Sequence, residues 1–235
     1  MKKPSFDHAG VRVDKYVYIS GGGDGGVLTN ATHRISWENP VKWESCGQMK
    51  TERIDHSLVN IGTKIYCFGG GTLVTNTDTT IEFKAVSSVE EYDISSQKWN
   101  VLTLLKRFDT IPFKPASHMF AQSFSDKEIL VWGGINADLK TSVTKSYISD
   151  IQEKTFKATK QEVKNDKSRP TDVIDLNSGK VNNTLCYLGP YKGQATVLAS
   201  TANFFNLNDH KTESKKISHQ MSKTTGIMLP SKDPR

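Results

Sequence analysis

Three histidines head similar stretches of this 235-residue chain: His8, His56 and His118. Imidazoles that converge on one point can bind zinc or copper. Here each histidine precedes an apolar run in a pattern that repeats along the chain, so the spacing of the histidines is the spacing of the repeat. We therefore expect each imidazole to be hydrogen-bonded near the start of a strand, and we predict neither a metal nor a cofactor.

A glycine-rich stretch after the first histidine formally matches a dinucleotide-binding fingerprint. Gly21, Gly23 and Gly26 satisfy G-x-G-x-x-G. That fingerprint needs a helix directly afterwards, because the N-terminus of the helix binds the pyrophosphate. The residues that follow are VLTNATHRISW, which are rich in β-branched side chains and favour strands. The nucleotide-binding interpretation is therefore rejected.

Other signatures of catalysis are missing from the sequence. It contains no G-x-S-x-G, H-E-x-x-H, P-loop or C-x-x-C motif, and no acid pair differs from ordinary surface carboxylates. No catalytic residue is assigned. The chain has an odd number of cysteines, and they are scattered: Cys46, Cys67 and Cys186. This indicates reduced thiols and predicts a cytoplasmic location. We also expect an association with the cytoskeleton.

The elements that would position these residues are clearest between residues 53 and 99. SLVNI and KIYCF are apolar, β-rich runs joined by a Gly-Thr turn, and three glycines, residues 69–71, close them into a predicted hairpin. A polar loop over residues 72–87 follows. SVEEYDI and KWNVL then form a second antiparallel pair across Ser95–Gln97. Both faces of this four-stranded sheet are largely apolar, so it must stack on similar sheets.

Copies of this stretch recur along the chain. FDHAGVRVDKYVYISGGG matches IDHSLVNIGTKIYCFGGG without a gap, and ASHMFAQSFSDKEILVWGG and DVIDLNSGKVNNTLCYLGP are a third and a fourth version. The second halves repeat as well, because YDISSQKW aligns with SDIQEKTF, with FNLNDHKT and, more loosely, with ISWENPVKW. A segment that begins ISH near the C-terminus resembles the first half of a fifth copy.

This pattern resembles the kelch repeat: an apolar hairpin that ends in Gly-Gly, then an aromatic residue, then Trp or Phe a short fixed distance later, with a period of about 50 residues. The resemblance covers nearly the whole chain. It implies an all-β fold, a kelch-type β-propeller of four full four-stranded blades plus a partial fifth, in a single domain over residues 1–235. The blades are expected at about residues 6–49, 53–105, 116–158, 172–212 and, for the partial blade, 217–231.

The resemblance also implies where a ligand would bind. In kelch propellers ligands bind one end, the mouth, which is built from the turns before the inner strands and the loops after the glycine pairs. Carried onto this chain, the mouth positions are Asp7, Arg53, Asp55 and Ser117 before the inner strands, and Asp24, Thr72, Asn136, Asp138, Tyr191 and Lys192 after the glycine pairs.

Charge and hydropathy narrow the choice of partner. The formal net charge is +6, with lysines concentrated after the third copy and in the C-terminal tail. Such lysines are typical of a solvated surface that protects outer strands; the alternative is contact with an acidic partner such as a filament surface. No aromatic residues interleave with them, so we expect no nucleic-acid partner. A membrane span needs about 20 apolar residues, and no apolar run in the sequence approaches that length. We therefore expect no membrane partner.

The resemblance therefore implies a non-enzymatic protein-binding module or scaffold, a subunit of a larger intracellular or cytoskeletal assembly. The alternative is a small-molecule enzyme with its active site at the propeller mouth. A deep pocket with convergent polar groups would favour the enzyme, and a shallow mouth with an apolar rim would favour the binding module.

Overall fold

The computed structural model describes residues 6–24, 26–75, 81–103, 105–106, 116–117, 119–123, 125–132, 134–136, 145–162, 184–188, 199–206 and 212–221. These residues form strands, turns and connecting segments. No helix capable of crossing a membrane is found among them. The chain divides into two compact units, residues 1–160 and 161–235, which are described separately. The single domain over residues 1–235 stays a prediction.

The first sheet of unit 1 contains four antiparallel strands in the order β1-β2-β5-β6, and a short hairpin, β3-β4, follows its second strand. Strands follow the glycine-rich stretch, as the sequence predicts. The strands are β1 (Ala9–Val13), β2 (Tyr16–Ser20), β3 (Gly23–Asp24), β4 (Val27–Leu28), β5 (Ala31–Ser36) and β6 (Glu44–Gln48).

The second sheet has the order β7-β8-β10-β11, and β9 pairs with the distal part of β8. Both hairpins predicted for this stretch are present. The strands are β7 (Ile54–Ile61), β8 (Lys64–Thr75), β9 (Ile81–Ala85), β10 (Val89–Asp93) and β11 (Lys98–Leu102).

The prediction that three glycines close the first hairpin of this sheet is wrong, because β8 continues through them. Gly69 and Gly70 have φ values of 66° and 87°, and Asp55 opposite them has φ 55°. This irregularity interrupts the ladder by one pair without ending it, and pairing resumes in the same register between Ile54 and Gly71. Residues 71–75 of β8 then pair with β9. We call these two segments the ribbon; it occupies much of the predicted loop over residues 72–87.

The third sheet has the order β14-β15-β17-β18, with a short parallel strand, β12, on the outer edge of β18. A separate two-stranded pair, β13-β16, accompanies it. The strands are β12 (Leu105–Lys106), β13 (Ala116–Ser117), β14 (Phe120–Ser123), β15 (Glu128–Trp132), β16 (Ile135–Asn136), β17 (Lys145–Asp150) and β18 (Thr155–Glu162).

The described part of unit 2 is one antiparallel sheet in the order β19-β20-β21, with β19 at Thr184–Leu188, β20 at Ala199–Asn206 and β21 at Thr212–Met221. The sequence predicts that residues 217–219 begin a fifth blade. In the structure those residues lie within β21, whose pairs with β20 run from Thr212 to Lys216 and resume at Met221 after an irregularity. The partial fifth blade stays a prediction. Residues 222–231 of the predicted partial blade lie outside the described residues.

The sequence repeat produces the same turn in all three sheets of unit 1. After the third long strand, a side-chain oxygen accepts a hydrogen bond from the backbone N–H three residues later, which fixes a tight turn. This explains why the second halves of the repeat align. The three hydrogen bonds run from Asn39 N to Ser36 Oγ (3.4 Å), from Ser96 N to Asp93 Oδ1 (2.8 Å) and from Glu153 N to Asp150 Oδ1 (2.9 Å).

The second sheet packs on both of its neighbours, as its two apolar faces predict. Successive side chains of a strand point to opposite faces, so β7 and β8 contribute alternately to two separate cores. Both cores are buried seams between sheets, and this confirms that the repeats stack. Leu58, Ile65 and Cys67 join Tyr18 in the seam with the first sheet, whereas Val59, Tyr66 and Phe68 join Val131 in the seam with the third sheet.

Candidate functional site

Arg53, one of the predicted mouth residues, lies inside the seam between the first and second sheets. Its side chain is 0% exposed and forms an ion pair with Glu90, which is equally buried. Arg53 Nη1 also donates to Gly69 O at 3.0 Å and to Ser88 O at 3.1 Å, and Glu90 accepts from Lys50 N at 2.6 Å. A buried charge is stable only with such partners. The structure thus corrects the prediction for Arg53: its guanidinium supports the fold and is shielded from a ligand.

His56 belongs to the same seam. It is buried, and its Nε2 atom lies 3.2 Å from Ser20 Oγ of the neighbouring sheet. Burial, reinforced by the positive charge of Arg53, lowers the pKa of His56 to about 3. The imidazole is therefore neutral at physiological pH and acts as a hydrogen-bonding core residue. His8 is exposed, and His118 lies outside the described residues.

No group of three or more His, Cys, Asp or Glu side chains in the described part of the chain is placed to hold a metal ion. The buried groups whose pKa values are strongly shifted also lie in the seams. Burial raises the pKa of Cys67 to about 12 and raises the pKa values of Tyr66 and Tyr92. Perturbed pKa values often mark catalytic sites, but here packing between sheets is their main cause.

Asp7 and Asp55, which occupy equivalent repeat positions, come together at the mouth. Their φ values are 52° and 55°, in the left-handed region that aspartate tolerates better than most residues. Asp55 N donates a hydrogen bond to Asp7 O at 3.1 Å, which joins the turns that lead into β1 and β7. The structure therefore places these two predicted site residues on adjacent segments.

Asp24 is held at the mouth by the β3-β4 hairpin. Phe6 and Gly23 exchange two backbone hydrogen bonds of 3.0 Å each. The Phe6 ring lies so close that a Cβ atom at Gly23 would be 2.9 Å from it, so the residue before Asp24 must be small. The hairpin is thus fixed against the segment that carries Asp7, with Asp24 and Val27 paired at its tip.

Thr72 lies on the ribbon, where it pairs with Lys84. The ribbon is anchored by the Phe83 ring, which occupies the space that a Cβ atom at Gly71 would need. Leu73 pairs with Phe83, and Thr75 pairs with Ile81. Directly paired residues share a face of a two-stranded ribbon, so Leu73, Phe83 and Ile81 form one apolar face.

Ser117 and Asn136 lie on the paired strands β13 and β16, in the register Ala116–Asn136 and Ser117–Ile135. The β13 strand lies beside β7 and β8. The structure therefore places Asp7, Asp24, Asp55, Thr72, Ser117 and Asn136 at one end of the sheets in unit 1, and the role of this end as a ligand-binding mouth stays a prediction. The other predicted site residues, Asp138, Tyr191 and Lys192, lie outside the described residues.

The sequence prediction missed the most distinctive feature of the mouth, which is apolar. Four large side chains on these segments are exposed, and we call them the apolar rim: Phe6 (48% exposed), Val27 (72%), Leu73 (36%) and Ile81 (67%). A signal for two of them exists in the sequence. Val27 follows GGGDGG and Leu73 follows GGGT, so each is an apolar residue in a stretch that otherwise reads as a polar, glycine-rich loop.

Comparisons with known proteins agree with this architecture. No family model matches the sequence. Over an alignment of 144 residues that covers 58% of this chain, the sequence is 26% identical to host cell factor homolog hcf-1 of Caenorhabditis elegans, and it spans only 17% of that protein. The solved structure of YjhT has the same fold, with a TM-score of 0.69 and 13% sequence identity over 94% of this chain and 68% of that one.

Both likenesses point to a kelch-like β-propeller. In these terms the three large sheets of unit 1 correspond to blades, and the turns and hairpins around Asp7, Asp24, Asp55 and Thr72 lie where the sequence predicts the mouth. The number of blades stays a prediction.

Proposed function

We propose that this chain is a non-enzymatic protein-binding module that recognises a partner protein through the mouth of its kelch-like propeller. The observation that carries the proposal is the apolar rim. Apolar side chains this exposed favour burial against another protein, and an apolar centre surrounded by polar residues is the usual composition of a protein interface. The polar residues Asp7, Asp24 and Thr72 lie on the same segments as the rim side chains.

The ribbon gives the rim a defined shape. Leu73, Phe83 and Ile81 share one face, and the pairs Thr72–Lys84 and Val74–Glu82 share the other. Phe83 is half-buried against Gly71, which holds the apolar face in place before any partner binds. A preformed surface loses less conformational entropy on binding than a mobile loop does. This supports recognition of a folded or extended protein segment.

Two further considerations favour a protein partner of this kind. The strongly shifted pKa values of His56, Cys67, Tyr66 and Tyr92 are explained by burial in the seams, which favours binding over catalysis. The mouth positions Asp7, Asp24 and Asp55 are carboxylates. They would repel an acidic filament surface, so the mouth partner that we propose is not strongly acidic.

A scaffold role in a larger assembly is part of the proposal.

The proposal is tested with the double variant Val27→Asp/Ile81→Asp, which places charges on both halves of the rim. The matched control is Val101→Asp, because Val101 is 53% exposed on the outer strand β11. Tagged wild-type and variant chains are purified from the same cells, co-purifying proteins are quantified, and the Kd of the leading partner is measured by calorimetry.

We expect the double variant to lose the partner and the control to retain it. A charge buried at an apolar interface should weaken binding at least about tenfold. The same partner, bound with equal affinity by the wild-type chain and the double variant, would contradict the proposal.

A further inference from the structure

We propose that the end of the first sheet opposite the mouth is a second binding surface, and that it takes an acidic, apolar segment of a partner protein. The surface is formed by the β1-β2 turn and by the connection between β5 and β6. We call it the Trp37 patch and define it by Arg12, Lys15, Tyr16, Trp37 and Val41. In the proposal, Arg12 binds a carboxylate of the partner, and Trp37 packs against an apolar side chain next to it.

Arg12 is held in a fixed orientation by two contacts. Its guanidinium carbon lies 4.9 Å from the centroid of the Trp37 ring, and its Nε atom donates to Asp14 O at 3.0 Å. The first contact uses the flat face of the guanidinium and the second uses Nε. Neither of these two contacts, which are those seen among the described residues, engages the Nη atoms of Arg12. A planar guanidinium with its two Nη groups available can bind a carboxylate with two parallel hydrogen bonds. Because the orientation is already fixed, little side-chain freedom is lost on binding.

The two loops that build the patch are tied to each other. Trp37 N donates to Lys15 O at 2.8 Å, which joins the β5-β6 connection to the β1-β2 turn. Beside this link the Lys15 ammonium lies 5.6 Å from the Tyr16 ring centroid, and the Arg34 guanidinium lies 4.3 Å from the same centroid. The patch therefore contains cations held on aromatic rings, on two loops that are tied to each other by a hydrogen bond.

Exposure shows that the patch is accessible. Trp37 is 40% exposed and Val41 is 83% exposed, although both are large and apolar. Tryptophan, tyrosine and arginine are the residues most enriched among those that dominate protein interfaces. Trp37 with Arg12 beside it therefore has the composition of an interface anchor, and Val41 is a second exposed apolar residue of the connection between β5 and β6.

The charges nearby decide which acidic partner fits. Exposed cations are contributed by Arg12, Lys15 and Lys42, and exposed carboxylates by Asp14 and Glu38. A fourth cation, Arg34, is neutralised by its ion pair with Glu44 at 2.7 Å. A nucleic acid would bring continuous phosphates close to Asp14 and Glu38 and be repelled. A peptide can present one or two carboxylates to Arg12 and Lys15 alone, so a peptide is the better match.

The experiment uses the full 235-residue chain and a phage-displayed library of random dodecapeptides. Selection runs in parallel on the wild type and on Arg12→Ala/Trp37→Ala. We expect the peptides enriched only on the wild type to carry Asp or Glu next to an apolar residue. The best of them is synthesised with a fluorescein label, and its Kd is measured by anisotropy.

Further variants then show which residues contribute to the affinity for the labelled peptide. Arg12→Lys keeps the charge and removes the planar fork, so it should weaken the labelled peptide about tenfold. Lys98→Ala removes an exposed cation from β11 and should leave the Kd unchanged. The mouth variant Val27→Asp/Ile81→Asp should also leave it unchanged, which separates this proposal from the proposed function. Thermal unfolding of each variant checks that the fold is retained.

Two results would overturn the proposal. One is a selection in which the wild type and Arg12→Ala/Trp37→Ala, both folded, enrich the same peptides. The other is tighter binding of a labelled oligothymidylate of about 20 nucleotides than of any selected peptide, lost in Arg12→Lys, which would make the patch a nucleic-acid site.

Discussion

His56 of the second sheet and Ser20 of the first sheet form a hydrogen bond across the seam, with Nε2 and Oγ 3.2 Å apart. Next to it, a Cβ atom at Gly21 would lie 2.5 Å from His56 Cε1. The imidazole therefore fills a space that only a glycine leaves open. In this seam the histidine of one sheet and a glycine of the neighbouring sheet therefore have to occur together.

The neutral state of His56 predicts how stability depends on pH. Its pKa is about 3 in the folded chain and about 6.5 in the unfolded chain. Between these values the unfolded state binds more protons, so acidification should reduce the free energy of unfolding by about 1.4 kcal/mol per pH unit. Urea unfolding from about pH 7.5 to about pH 5 should show a loss of about 2 kcal/mol from this residue.

The matched variant for this measurement is His56→Gln, which can still hydrogen-bond Ser20 and does not titrate. It should lack this part of the pH dependence. An equally steep loss in the variant would show that other groups cause it.

Gly70→Ala should destabilise the fold by more than about 1 kcal/mol. Gly70 has φ 87°, and an added Cβ atom would lie 2.6 Å from Ile54 O. The control is Gly10→Ala, where the added atom would meet Ile19 and Tyr18 at an ordinary 3.6 Å. Urea unfolding should leave the control near the wild type; similar midpoints for both variants would count against the special role of the glycine pair.

Arg53→Met should cost about 3–5 kcal/mol, because it leaves the Glu90 carboxylate buried without its cation. Lys64→Met removes a partly exposed cation from Glu91 in the same sheet and should cost at most about 1 kcal/mol. Both values come from urea unfolding at neutral pH. A mild effect of Arg53→Met would show that the buried Glu90 carboxylate does not depend on this cation.

The purified chain should contain no stoichiometric zinc or copper. The reason is that His56 Nε2 is taken by Ser20 and its ring is enclosed in the seam. Elemental analysis of protein purified without chelators tests this. One metal ion per chain that disappears in His56→Ala would refute the structural role of the histidine.

The second sheet shows how much could be predicted from sequence. Leu58 and Val59 are adjacent apolar residues of one strand, and so are Ile65 and Tyr66. Because successive side chains of a strand point to opposite sides, these pairs predict that both faces of the sheet are buried. The turn after Asp93 follows from local residue types in the same way. These signals need only neighbouring residues, so the hairpins and the stacking of repeats were predictable.

Other features depended on partners far away in the chain. From its neighbours in the sequence, Arg53 is predicted to be an exposed turn residue. Its burial is stable only because Glu90, 37 residues later in the chain, pairs with it. The three glycines read as the end of a hairpin, yet the pairing of residues 71–75 with β9 extends the strand and gives Leu73 and Ile81 a common face. The sequence determined the periodic strands and turns, because their causes are local. The tertiary structure decided the buried ion pair and the apolar rim, because a charge or strand edge is satisfied only when its distant partner is in place.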